Sequence, residues 1–306
     1  EPRGALGRLR RLHIRDVAVF GAFMAIYAMA LRPVVDNDLF WHLATGRYMW
    51  TAGQIPHADP FSWTVPGRAW IAHEWLTELW LYPVYAHGGY AALMLIFAAV
   101  ITAAFAVSYL TARRLGASRT FGVAITLLAA VASSHTWGVR PQMLSMLLMA
   151  VTLWLLVRGT PWPLPPLMAL WANLHGGFIF GLALVGIFAA GHTCIALLSR
   201  LRPHPPAPSP STWRGGAHCD ILPFPASDRV GSHAVGGWHT PAGGRGVLHT
   251  PAGGEGASRL WLILALSVIA CVLNPNGLKG LIYPFSYLGN NASTRYIAEW
   301  VSPDFH

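Results

Sequence analysis

The fold is decided by residues 90–110, which read YAALMLIFAAVITAAFAVSYL. These 21 residues contain no charged side chain, and a helix that crosses a bilayer core requires about 20 mostly apolar residues. Arg113, Arg114 and Arg119 follow the run directly, which is typical of the point where a transmembrane helix reaches the cytoplasm. The stretch therefore predicts a membrane-spanning helix whose C-terminal end is cytoplasmic.

Similar apolar runs recur along the chain and are separated by polar loops or by clusters of arginine. Hydrophobic residues make up 54% of the sequence and charged residues 11%, which is more apolar surface than one soluble core of this length needs. A cleaved signal peptide explains only one such run. We predict an all-α, polytopic transmembrane helical bundle with about seven spans, formed by residues 17–31, 90–110, 121–137, 143–157, two helices within 164–198, and 260–273.

The arginine clusters also predict how the bundle is oriented. Five arginines precede the first run, so the N-terminus is expected in the cytoplasm. Residues 32–89 then form a large first external loop with short amphipathic helices, of which residues 75–85 show the pattern. Because these clusters account for the formal charge of +9, membrane lipid is a predicted partner and nucleic acid is not.

Composition divides the chain into three parts. Residues 1–199 form the N-terminal transmembrane bundle, and residues 259–306 form the last helix with an external segment that we expect to be truncated. Residues 200–258 are rich in Pro, Gly, Ser and His, and they repeat Thr-Pro-Ala-Gly-Gly at Thr240 and Thr250. Such a segment buries too little surface to fold, so we predict a disordered cytoplasmic insertion. Its five histidines are capable of adventitious metal binding.

The most informative polar stretch runs from Asp36 to Arg47, just after the first predicted helix, and contains Asp38 and His42. Carboxylates two residues apart bind a divalent cation or act as a general base, so Asp36 and Asp38 are the candidate catalytic residues. Any metal ion is expected at the same two residues. Alternatively, one of them caps a helix that continues through Trp50, which leaves the other available.

A second polar cluster follows in the same loop. His73 and Glu74 begin like a zinc-protease motif, but Thr77 stands where the second histidine is required, so a zincin is not predicted. His73 and Glu74 are instead candidates for binding an anionic or hydroxylated substrate. The nearby tryptophans belong either to an interfacial belt or to a surface on which a sugar stacks. They are Trp63, Trp70 and Trp75.

Three further polar residues are expected on the external side, where they meet the loop. Asn173 and His175 interrupt the long apolar stretch just before Gly176 and Gly177. We predict that Asn173 and His175 bind substrate together with His42 of the first external loop. Arg140 precedes Pro141 at the outer end of a span. Its side chain either snorkels to the interface or holds a phosphate by paired hydrogen bonds.

Taken together, these stretches resemble a family of bacterial multi-spanning membrane proteins that is similar to the GT-C superfamily of glycosyltransferases, which includes protein mannosyltransferase-like enzymes. The resemblance implies a location in the bacterial cytoplasmic (inner) membrane. The resemblance implies transfer of a sugar from a polyprenyl-phosphate donor to an acceptor at the outer face, with Asp36 or Asp38 as the acidic residue of the first external loop. It leaves the acceptor undefined. The matching stretches are residues 36–47, 56–63, 73–76, 140–141, 171–177, 274–277 and 283–285.

Two other classes of protein remain as alternatives. A transporter would place charged or polar residues near the centres of its spans, and the centres here are largely apolar. A noncatalytic membrane scaffold would use the external loops to bind a partner. Binding of the donor lipid, followed by transfer of its sugar, separates the enzyme from both.

Overall fold

The computed structural model describes residues 14–33, 38–64, 66–201 and 254–289. This part of the chain is mostly helical and contains no β-strand, which confirms the all-α prediction. The helices are α1 (Ile14–Ala30), α2 (Asp38–Ala52), α3 (Trp75–Arg114), α4 (Arg119–Ser133), α5 (Gln142–Arg158), α6 (Leu164–Leu174), α7 (Phe178–Leu201), α8 (Gly254–Cys271) and α9 (Gly277–Ile282). Short 3-10 turns follow α4 and α9.

Glycine and serine residues mark several breaks and ends of the helices. Gly89 has φ 60° and ψ −162°, a conformation that favours glycine, so α3 is two successive helices that join at this residue. The apolar run 90–110 lies in the second of them. Ser118 caps α4 by accepting the N–H of Phe121, and Gly159 ends α5 in the left-handed conformation.

Parts of the predicted domain organisation lie outside the described residues. The proposed insertion, 200–258, is described only at its edges, where α7 reaches Leu201 and α8 begins at Gly254. Asp36 and the final segment 290–306 also lie outside the description. The predicted external loop, 32–89, contains α2 and the first part of α3.

Two helices, α3 and α7, are long and apolar enough to cross a membrane. The helices formed by other predicted spans are shorter. The 17-residue helices α1 and α5 each rise roughly 26 Å, less than the ~30 Å of a bilayer core, and α4 and α6 are shorter still. Seven spans are therefore not confirmed within the described residues.

The core has two parts, and α5 contributes to both. In the first part, α1 to α5 enclose side chains such as Leu39 and Phe97, which are almost completely buried. In the second part, α5 to α8 enclose Trp171 and Val185. Because α5 packs against both α3 and α7, the two parts form one continuous helical bundle.

Polar contacts tie α1 to α4 near both ends. Arg119 Nη1 lies 3.0 Å from Asp16 Oδ1 near the first turns, and Arg32 Nη1 donates to the carbonyl of Ser134 at 2.8 Å just beyond the last turns. These contacts show that α1 and α4 run in the same direction. The alternation of the first three predicted spans requires the same arrangement.

Close packing of α2 on α3 fixes the position of the polar residues. A Cβ atom on Gly46 would lie 2.8 Å from Tyr82 Cβ and closer still to the backbone carbonyl oxygen of Glu78. Only glycine therefore allows the two backbones to approach this closely. The indole N–H of Trp50 donates to the carbonyl of Leu79 at 2.7 Å and holds the same contact.

We expect the Gly46→Ala variant to unfold at a lower temperature than the wild type, because its methyl group forces α2 and α3 apart. Overpacking of this kind costs about 1–3 kcal/mol of unfolding free energy. Thermal unfolding of the purified protein in detergent measures the effect. Gly191→Ala is the matched control, since a Cβ there meets no atom within 4 Å; equal losses in the two variants would contradict this account of the α2–α3 contact.

Candidate functional site

A cluster of carboxylates and imidazoles lies where α2 meets the start of α3. Glu74 is the N-cap of α3 and Glu78 lies four residues later, so both carboxylates project from the same face of the helix. His42 of α2 faces both of them. Its Nδ1 is 3.0 Å from Glu78 Oε1 and 3.5 Å from Glu74 Oε2.

The second carboxylate oxygen of Glu74 faces two other histidines. Glu74 Oε1 lies 3.3 Å from His175 Nε2 and 3.6 Å from His73 Nε2. His175 comes from the break between α6 and α7, and His73 comes from the loop before α3. Glu74 therefore contacts all three histidines of the cluster, which consists of His42, His73, Glu74, Glu78 and His175.

The hydrogen bonds around His175 define its tautomer. The backbone N–H of Gly177 donates to His175 Nδ1 at 2.9 Å, so Nδ1 carries a lone pair and Nε2 carries the proton of the neutral ring. Ser145 Oγ accepts the indole N–H of Trp171 at 2.7 Å and donates its own proton to the same Nδ1 at 2.7 Å. Hydrogen bonds thus run from Trp171 through Ser145 to His175, whose Nε2 lies 3.3 Å from Glu74 Oε1.

Burial shifts the ionisation of this cluster toward neutral forms. Loss of solvent raises the pKa of Glu74 to about 7; His42 opposes this shift, whereas the charges of Glu78 and Asp38 add to it. Burial also lowers the pKa of His73 to about 4 and that of His175 to about 3. Both of these imidazoles are consequently neutral near pH 7, each with one ring nitrogen that carries a lone pair.

One oxygen of the cluster has no partner among the described residues. Glu78 is 1% exposed, and its Oε2 is buried without a hydrogen bond. Such a group costs about 1–3 kcal/mol, and more when it is charged. The donor atoms of His42, Glu74 and Glu78 lie within 4.8 Å of one another, a spacing at which they can hold one metal ion.

Asp38 and Arg140 lie beside this cluster. Arg140 Nη2 is 3.9 Å from Asp38 Oδ2, and the Asp38 side chain is 55% exposed. The Asp38 charge acts on Glu74, as described above, so the pair is within electrostatic reach of the buried groups. The structure thus brings together all the predicted site residues in the described part of the chain except Asn173, which is adjacent.

Asn173 connects helices at the edge of the cluster. Its side-chain N–H groups donate to the carbonyls of Ala169 and Leu273 at 2.7 and 3.0 Å, and its oxygen accepts the indole N–H of Trp75 at 2.8 Å. These bonds account for the burial of its amide. They link α3, α6 and the end of α8, and a role in binding substrate stays a prediction.

The segment after α8 covers one side of the cluster. Asn276 Nδ2 donates to the carbonyl of Ala72 at 3.3 Å, and Asn274 orders the preceding turn by accepting the N–H of Asn276 at 2.8 Å. The ring of Tyr283 lies 4.8 Å from that of His73, measured between centroids. The position of this segment is therefore set in part by its contacts with the loop that holds His73 and Glu74.

An aromatic pocket of about 390 Å³ opens next to α2. Trp41, Phe61 and Trp70 line it, and Trp41 also packs against His42 with ring centroids 4.1 Å apart. Asp59 shapes the turn below it by accepting the backbone N–H groups of residues 61 and 62 at 2.8 and 3.0 Å. Of the three tryptophans singled out in the sequence, Trp70 lines this pocket.

Two members of the site are missing from the sequence-based candidates. Glu78 is not among the candidates, although its spacing of four residues from Glu74 is a sequence signal that places both carboxylates on one helical face. Ser145 has no such signal, because a lone serine within an apolar helix is common and its partners are distant in sequence. Trp41 precedes His42 in the chain, and the sequence does not predict that it lines the pocket, because the pocket forms only when the loop with Phe61 and Trp70 folds against α2.

No protein-family model, curated protein or solved structure matches this chain. The comparisons therefore assign it to no family.

We expect Ser145→Ala to lower the free energy of unfolding by about 1–3 kcal/mol, because the buried indole N–H of Trp171 loses its acceptor. Thermal unfolding in detergent checks this. The matched control is Ser199→Ala, whose exposed hydroxyl donates only to the carbonyl of Ala196 in its own helix. Equal unfolding temperatures for the two variants would show that the hydrogen bonds of Ser145 contribute no stability.

Proposed function

We propose that this protein is a membrane glycosyltransferase that moves a sugar from a polyprenyl-phosphate donor to an acceptor at the outer face of a bacterial inner membrane. The proposal includes the bundle of about seven spans, with the N-terminus in the cytoplasm. It is supported by the resemblance to GT-C enzymes and by one central observation. That observation is the Asp38–Arg140 pair, which lies beside a buried cluster of carboxylates and imidazoles.

Apolar surface supports placement in a membrane. α3 and α7 satisfy the length and composition of a spanning helix, and large apolar side chains on several helices are exposed. Phe20 of α1, Ile187 of α7 and Ile269 of α8 are each more than 60% exposed. Lipid tails cover such side chains without the penalty that water imposes.

Asp38 and Arg140 supply the two charges that an inverting transfer requires. The Asp38 carboxylate accepts the proton of the acceptor hydroxyl while that oxygen bonds to the anomeric carbon of the sugar. The bond between this carbon and the phosphate oxygen breaks, and its electron pair leaves with the polyprenyl phosphate. Arg140 stabilises the negative charge that develops there. Their 3.9 Å contact is loose enough to open for a ligand.

The aromatic pocket and a nearby groove suit the two parts of the donor. Trp41 and Trp70 present ring faces and edges, with Arg68 and Ser62 as polar neighbours, a combination that binds sugars. A groove of about 680 Å³ lies between the start of α3, α6 and the end of α8. Leu76, Leu170 and Leu273 line it, and it accommodates part of an apolar chain.

We expect Asp38→Asn to reduce sugar transfer by roughly 100-fold or more, because an amide does not accept the hydroxyl proton. Asp36→Asn tests the alternative carboxylate that the sequence offers. Membranes that contain each full-length variant are given labelled polyprenyl-phosphate sugars, and transfer is measured against the wild type. Glu255→Gln, an exposed acidic residue at the start of α8, is the control and should keep full activity. Wild-type rates in both aspartate variants would refute the assignment.

We expect Arg140→Gln to slow transfer by about 100-fold while the variant still binds the lipid portion of the donor, because the lost charge acts on the departing phosphate. The rate and the donor affinity are measured separately in the same membranes. Exposed Arg114→Gln is the control. Donor binding without transfer in the wild type would instead indicate a transporter or an inactive relative, and absence of donor binding would indicate a scaffold.

A further inference from the structure

Three donor atoms of the cluster are spaced as the ligands of one metal ion. They are His42 Nδ1, Glu74 Oε2 and Glu78 Oε1, with separations of 3.5 Å and 3.0 Å from the histidine to the two glutamates. Ligands about 2.1 Å from a tetrahedral ion lie roughly 3.4 Å from each other. Small side-chain movements are enough to turn the present arrangement into a coordination sphere.

The charge balance of the cluster also favours a cation. Two carboxylates buried on one helical face cannot both ionise at low cost without a cation, and a single proton on His42 Nδ1 can bond to only one of them at full strength. Glu78 Oε2 remains buried without a partner. A divalent ion neutralises both carboxylates at once, and bidentate coordination by Glu78 also gives its Oε2 a partner.

The surrounding structure holds the donor atoms in place, as metal sites require. His42 packs against Trp41, and the Gly46 contact fixes its helix against the backbone of Glu78. His175 Nε2, which carries the ring proton, lies 3.3 Å from Glu74 Oε1, the oxygen that does not face His42. A hydrogen bond to the outer oxygen of a carboxylate ligand is the usual way in which proteins orient such a ligand.

We propose that His42, Glu74 and Glu78 bind one first-row divalent metal ion, with His175 as the residue that positions Glu74. One imidazole and two carboxylates suit zinc, manganese or iron better than the oxygen-rich spheres of calcium and magnesium or the thiolate sites of copper(I). Zinc is the ion with which to test it. Three protein ligands leave a coordination position for an external molecule, as in catalytic zinc sites.

This metal site differs from the one that the sequence suggested. The sequence placed any cation at Asp36 and Asp38, whereas Asp38 has Arg140 as its neighbour and Asp36 lies outside the described residues. Metal binding at this cluster does not depend on whether the protein transfers sugars. A failed transfer assay and a failed metal assay therefore have separate meanings.

The experiment must first remove a competing source of metal binding. The parent protein for the test is the full-length chain in which the histidines of the 200–258 segment are replaced by Asn, and the tag used for purification is removed. Zinc is added, excess ion is dialysed away, and bound metal is measured by mass spectrometry. The replaced residues are His204, His218, His233, His239 and His249.

We expect the parent to retain about one zinc ion per chain, since the cluster forms a single site. Glu78→Gln and His42→Gln should each weaken zinc binding by about 100-fold or more, because each removes a ligand that the remaining two do not replace. Exposed Glu255→Gln and His57→Gln are the matched controls and should keep the metal. Zinc retention in folded Glu78→Gln, or no zinc in the parent, would overturn the proposal.

A second measurement covers the case in which a cluster variant does not fold. Cobalt(II) is added to the parent, to Glu78→Asp and to His42→Gln in separate samples. The visible spectrum of each sample is recorded before and after addition of a series of chelators. A strong tetrahedral band without a thiolate band supports the nitrogen and oxygen ligands. The weak spectrum of hydrated cobalt in the folded parent would show that the cluster is held together by shared protons alone, and the metal site would then be rejected.

Discussion

The pair of carboxylates on the first turns of α3 imposes the main constraint on this structure. Glu74 and Glu78 are both removed from water, and a buried carboxylate needs donors or a cation around it. The protein meets this need with groups from distant parts of the chain: His42 from α2, and His175 from the break between α6 and α7. The positions of those elements are therefore tied to the same few atoms.

This constraint explains why several irregular segments meet at one end of the bundle. The hydroxyl of Thr77 donates to the carbonyl of Leu174 at 2.6 Å, which brings the end of α6 to the start of α3. Asn173 and Asn276 then connect the end of α8 and the following turn to the same region. Leu39 and Leu43 of α2 and Leu81 of α3 are buried in the apolar core close to His42 and Glu78, so the polar end is built directly on the core packing.

The sequence predicted the helices well because each long apolar run must satisfy its backbone hydrogen bonds internally. It could not settle how many of them span a membrane, since α1 and α5 are intermediate in length and the terminal residues of a helix depend on local packing. In the site, His42, His73, Glu74 and His175 were recognised by residue type. Glu78 and Ser145 were not, because their roles depend on partners from other helices.

The break at Gly89 separates the first half of α3, which carries Glu78 and follows Glu74, from the apolar second half, residues 90–110. If the half that follows Gly89 crosses a bilayer, its tilt must adapt to the thickness of the lipid around it. A straight, continuous helix would transmit each change of tilt to Glu74 and Glu78. With the backbone redirected at Gly89, rotation at this residue would absorb the change and would leave Glu74 and Glu78 in register with α2.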